Sequence, residues 1–138
     1  MAGELLGIDL DNTIIGYDRL MHRIALEQGA IGPTVPATKR DVCAAVRSMP
    51  GGESRWQRLQ GEAYGPRIVD AAPMDGVRVA VAAFVRAGLR VAVVSHKTRV
   101  AAQGDDTDLH ESALTWLDTH GLFAAGLLRD DVHFTDTA

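Results

Sequence analysis

One cysteine and two lysines are all that this 138-residue sequence holds of those residue types: Cys43, Lys39 and Lys97. A lone cysteine excludes an internal disulfide. The first residues also lack a basic stretch followed by a long apolar run and a small-residue cleavage site, so a reducing cytoplasm is the expected location. No apolar run approaches the ~20 residues of a membrane-spanning helix, and the chain reads as soluble. No cluster of Lys and Arg occurs, and the formal net charge is -4. That balance argues against a nucleic-acid polymer or an anionic membrane as the main partner. Because arginine fills most basic positions, few residues are available for any role that needs a lysine ammonium.

What is present is ordinary for a soluble domain: 46% hydrophobic and 23% charged residues, in a chain long enough for one domain with its own core. Leu5, Leu6 and Ile8 form a short apolar run that stops at Asp9, and the pattern predicts a buried parallel strand over 4–9. From Asp18 the period changes. Leu20, Met21, Ile24 and Ala25 share one helix face, with Gly29 as its stop. Thr38 and Asp41 have capping-box spacing before Val42, Ala45, Val46 and Met49, and Pro50, Gly51 and Gly52 close that helix. Ser54 and Gln57 form a second such pair before Trp56, Leu59, Ala63 and Tyr64. Residues 17–72 are thus expected to be mainly helical.

Beyond Pro73 the signals are those of an α/β unit. Val77, Val81, Ala82, Phe84 and Val85 predict a helix that Gly88 ends. Leu89 to Val94 then read as a β-branched strand running into Ser95. After a loop over 99–107, Asp108 and Glu111 cap a helix with Leu109, Ala113, Trp116 and Leu117 on one face, and 132–134 predict a last strand. The fold class is therefore α/β: a parallel sheet with right-handed crossovers, and a helical segment inserted after the first strand.

The stretch GIDLDNTII (residues 7–15) places Asp9 and Asp11 two positions apart where the first strand ends. Close like charges raise each other's pKa and repel. In open α/β sheets ligands bind at the carboxyl ends of strands, so Asp9, Asp11 and Ser95 are expected to converge on one crevice. A divalent cation would relieve the repulsion, and hard oxygen ligands suit Mg²⁺. One carboxylate could then attack phosphorus while the other serves the leaving group as an acid.

Asp9-Leu10-Asp11-Asn12-Thr13 after an apolar strand resembles the first motif, DxDxT, of the haloacid dehalogenase superfamily, and Ser95 after "LRVAVV" resembles its second. The helical insert sits where that family carries a C1-type cap. The resemblance implies a Rossmann-like three-layer core over 1–16 and 73–138, with a cap over 17–72. It also implies a Mg²⁺-dependent phosphohydrolase that works through an aspartyl-phosphate on a small phosphorylated metabolite or nucleotide. Asp9 would be nucleophile and metal ligand. Asp11 would be general acid and base and a further ligand through its carbonyl, with Thr13 bracing the loop. Ser95, Asn12 and Lys97 would bind the phosphate. An Asp at position 11 favours phosphoryl chemistry over dehalogenation.

The family's late acidic pair has no clear counterpart. Asp130-Asp131 reads as a turn, and Asp136, beyond the last strand, is the expected third metal residue. The same resemblance implies one more helix and strand after 132–134, so the core is expected to lack its C-terminal part. Lys97, in "SHKT", is either the cation that offsets the phosphate charge or a solvated loop lysine. Trp56 and Tyr64 either pack or line a substrate entrance. Arg55, Arg58 and Arg67 read as a solvated helix face, and Asp105, Asp106 and Asp108 as an acidic loop rather than a metal site. The histidines lack metal-ligand spacing, with only His96 near the crevice. The alternatives to a phosphatase are a phosphotransferase or mutase on the same intermediate, and an inactive binding module whose free sheet edge pairs two copies into a homodimer.

Overall fold

In the computed structural model, which describes residues 4–104 and 106–135, the first apolar run forms β1 (Leu5–Ile8), and Asp9 lies just beyond it. A tight loop leads to β2 (Ile15–Gly16). Three helices follow: α1 (Asp18–Glu27), α2 (Lys39–Arg47) and α3 (Gly52–Tyr64). The chain returns through β3 (Ala72–Pro73), which pairs antiparallel with β2, so the two ends of the helical segment are clasped together. α4 (Val77–Arg86), β4 (Arg90–His96), α5 (Leu109–Thr119) and β5 (Val132–Thr135) complete the order.

β1, β4 and β5 form one parallel sheet in that order, with Leu6 beside Val91, Ile8 beside Val93 and Ser95 beside Phe134. Paired residues of neighbouring strands share a face. Leu6, Ile8, Val91, Val93 and Phe134 belong to the core or pack on it. On the other face Leu5, Gly7, Val94, His96 and His133 are exposed. The cause is topological. Both crossovers step the same way across the sheet, and right-handed crossovers then put α4 and α5 on the same side. β1 is therefore half-buried rather than the fully buried strand its run of apolar residues predicts. The fold is mixed α/β, with five helices and a small three-stranded parallel sheet among the described residues.

The core runs without a break from the sheet into the helical segment. Leu20, Met21, Ile24, Val42, Val46, Trp56 and Leu59 join Val81, Val91, Val93, Trp116 and Leu117 in one buried cluster. Trp116 Nε1 donates to the Ala71 carbonyl at 2.9 Å, tying α5 to the end of the helical segment.

Two helix starts differ in instructive ways. At α2 the Thr38 hydroxyl accepts from the Asp41 N–H (3.1 Å) and donates to the Asp41 carboxylate (2.7 Å), so the pair caps as expected. At α3 the Ser54–Gln57 box does not form. The helix begins earlier, at Gly52, behind a left-handed Gly51, because Gly52 sits against the end of α2. A Cβ there would lie 2.4 Å from the Arg47 carbonyl oxygen. β4 extends past Val94 to His96, since Ser95 and His96 find strand partners in Phe134 and Thr135. No helix among the described residues is long and apolar enough to cross a membrane.

Candidate active site

The loop from Asp9 to Ile15 is held by its own backbone. The Leu10 carbonyl accepts from the N–H groups of Thr13, Ile14 and Ile15, and the Asn12 N–H donates to Ile15 O at 2.7 Å. Asn12 takes a left-handed φ of 62°, a conformation that Asn tolerates better than most residues. Leu10, Ile14 and Ile15 are fully buried and anchor the loop. The two carboxylates are thereby held above the carboxyl end of the sheet. Thr13 braces the loop through its N–H, while its side chain is exposed.

Asp9 is exposed, and its Oδ1 accepts the Leu10 N–H at 2.9 Å. Asp11 is a different carboxylate. Its Oδ2 lies 2.9 Å from Lys97 Nζ, in a pair whose lysine side chain is only 3% exposed. Among the described residues, Asp11 Oδ1 and the Tyr17 hydroxyl are buried and make no well-formed hydrogen bond, although the Asp11 carboxylate is near enough to act on the phenol. Burial, followed by the negative charge of Asp11, pushes the Tyr17 phenol far above its ordinary range, so it stays neutral. The two aspartates thus occupy unlike environments, one open to solvent and the other paired with a buried ammonium.

Lys97 is not a solvated loop lysine. Its N–H donates to Thr135 O at 3.2 Å, and its carbonyl accepts from His110 Nε2 at 2.6 Å. His110 is itself buried and stacked on Phe134 at 4.3 Å. The ammonium sits 3.9 Å from the centroid of the Tyr64 ring. Burial lowers the Lys97 pKa, and the Asp11 charge opposes that shift. A compact ammonium under these conditions is a strong electrostatic partner for an anion.

Asp9, Asp11, Asn12, Ser95 and Lys97 line a single crevice of about 450 Å³, together with Lys39, Gln60 and Tyr64 from the helical segment. Ser95 is buried on the core face of β4. Lys39, Gln60, Tyr17 and His110 were not singled out by sequence. The scarcity of lysine carried a signal, since both lysines of the chain meet in this one crevice. Tyr64 stands at the crevice, whereas Trp56 is buried in the core.

Other residues fall elsewhere. Arg67 pairs with Glu27 and Asp70, and Arg55 and Arg58 are exposed. Asp108 caps α5 by accepting the Glu111 N–H and also pairs with Arg99. Asp131, in the turn before β5, is buried and accepts from Arg90. Asp105 and Asp136 lie outside the described residues.

Mg²⁺ keeps several waters and needs only one or two protein oxygens. The exposed Asp9 carboxylate and the Asp11 carbonyl fit that demand, while the Asp11 side chain is engaged by Lys97. Among the described residues no three His, Cys, Asp or Glu side chains form a fuller cage. No family model, no curated protein and no solved structure matches the chain.

Proposed function

We propose that the chain is a Mg²⁺-dependent phosphomonoesterase of haloacid dehalogenase type, acting in the cytoplasm through an aspartyl-phosphate on Asp9. The observation that carries this reading is the convergence of Asp9, Asp11, Ser95 and a buried Lys97 on one crevice at the carboxyl end of a parallel sheet. The order of the strands, and the exposed apolar Leu5 and Val94 that a further layer would cover, favour a three-layer Rossmann-like core, with residues 17–72 as its cap.

An Asp9 oxygen attacks phosphorus, and the ester P–O bond breaks. Asp11 donates its proton to the departing oxygen. As the ester binds, the Lys97 ammonium turns toward the phosphoryl oxygens, and the Asp11 carboxylate, released from the pair, takes up from solvent the proton that it passes to the departing oxygen. Ser95 holds one phosphoryl oxygen and the Asn12 side chain another, a reading supported by their common crevice. In the second half Asp11 takes a proton from water, whose oxygen attacks phosphorus and returns Asp9 as a free carboxylate. Mg²⁺, held by Asp9 and the Asp11 carbonyl, would add charge neutralisation on the transferring group.

The test is phosphate release from a panel of phosphomonoesters with and without Mg²⁺, with Asp9→Asn as the control. Mg²⁺-dependent release that disappears in Asp9→Asn is expected. Release that survives the substitution would assign the nucleophile elsewhere.

A further inference from the structure

Twelve of the fourteen basic residues are arginines, and both lysines contact one tyrosine in the crevice. Lys97 Nζ lies 3.9 Å from the Tyr64 ring centroid, and Lys39 Nζ lies 5.9 Å from the same centroid and 3.1 Å from the Tyr64 hydroxyl. The two ammonium groups are therefore no farther apart than the sum of those centroid distances. Their partners differ. Lys97 has a carboxylate at 2.9 Å, whereas among the described residues the Lys39 ammonium contacts the neutral tyrosine hydroxyl and pairs with no carboxylate. Burial keeps that hydroxyl protonated, with the phenol pKa raised despite the lysine beside it.

Lys39 is also held in place. It is the first residue of α2, and its backbone N–H donates to the Asp18 carboxylate at 2.9 Å. The side chain thus projects from a fixed point on the helical segment into a crevice whose floor is the sheet.

We infer that Lys39 and the Tyr64 hydroxyl form a second anion subsite. The preferred substrate would then be a small phosphomonoester bearing another anionic group, a carboxylate or a second phosphate, a short carbon chain away from the scissile one. This rests on the phosphatase reading for the identity of the first anion. The subsite itself is a binding claim and is tested as one.

The experiment measures calorimetric binding of glycerol 3-phosphate and 3-phosphoglycerate, which differ in a hydroxymethyl against a carboxylate, to the wild-type chain, Lys39→Gln and Tyr64→Phe, in parallel with turnover where it occurs. Wild type should bind 3-phosphoglycerate at least tenfold more tightly. Lys39→Gln should remove most of that ratio and Tyr64→Phe part of it, with circular dichroism confirming that each variant is folded. A ratio near one in wild type overturns the subsite, as does a ratio that survives Lys39→Gln. Absence of phosphate release with the ratio intact would overturn the phosphatase reading and leave the subsite standing. If Lys39→Gln fails to fold, the Tyr64→Phe ratio decides, and an unchanged value there overturns the subsite.

Discussion

Lys97 and Asp11 form an ion pair 2.9 Å long in which the lysine side chain is almost wholly buried and the aspartate is 19% exposed. Removing water from both charges is costly, and their attraction offsets that cost only while both are present. The pair also joins the loop after β1 to the end of β4, so on the proposed phosphatase reading it has a structural and a chemical role at once.

Lys97→Met should therefore act on two separable quantities. Breaking a buried pair by removing one partner costs about 3–5 kcal/mol, which urea unfolding would measure. Turnover should fall by about 10²–10³, the usual effect of losing one preorganised stabiliser of transition-state charge. The double variant Lys97→Met/Asp11→Asn should recover part of the stability and none of the activity. A Lys97→Met chain that loses the stability but turns over at the wild-type rate per folded molecule would make the lysine structural only.

The backbone of this site was legible in the sequence to different depths. Asp9 and Ser95 could be placed because each closes an apolar run, with Asp11 two positions after Asp9, and a run's end is local information. The state of Lys97 could not be. Its burial depends on the Asp11 loop, on Tyr64 of α3 and on the His110 hydrogen bond from α5, all brought together by the tertiary fold. The same holds for the last two residues of β4, which become strand through pairing with β5. Ser54 and Gln57 have the right spacing for a cap, but close packing of Gly52 against the end of α2 outweighs it. Leu5 and Val94 look like core residues in any window of sequence, and only the direction of the crossovers leaves their face bare.

Acid should expose a second ion pair. Arg90 donates to the buried Asp131 carboxylate at 2.6 Å, joining the start of β4 to the turn before β5. These hydrogen bonds, with the charge of Arg90, hold the Asp131 carboxyl below its ordinary value. A carboxyl whose pKa is lower folded than unfolded binds its proton more readily when unfolded. Its contribution is thus complete above the ordinary carboxylate range and is lost as pH falls through the folded value. Arg90→Met should be less stable than wild type at pH 7, and its acid unfolding should begin at higher pH. The two stability curves should converge once the carboxyl is protonated. A gap that stays constant from neutral pH into that acid range would mean that Arg90 acts through the packing of its stem alone.

Two glycines should respond to alanine with opposite signs. At Gly7, in a strand on the bare face of the sheet, an added Cβ meets nothing within 4 Å, and φ is not positive. Gly7→Ala should be neutral or stabilise by up to about 1 kcal/mol, because glycine in a strand interior loses the most backbone freedom on folding. At Gly52 the added Cβ would lie 2.4 Å from the Arg47 carbonyl oxygen and 2.6 Å from that of Val46, both backbone atoms that cannot rotate away. Alanine is the better helix former by ~1 kcal/mol, yet relieving this contact requires α2 and α3 to separate. Overpacking of that kind costs about 1–3 kcal/mol, so the net change at Gly52→Ala should be destabilising in thermal unfolding. Lys39 stands on α2 and Tyr64 on α3, so the same displacement should lengthen the ammonium-to-hydroxyl contact. The variant should then lose more of its preference for 3-phosphoglycerate than of its affinity for glycerol 3-phosphate. A Gly52→Ala chain as stable as wild type would show that the two helices can slide apart without cost, and the close approach would then have no part in setting the crevice.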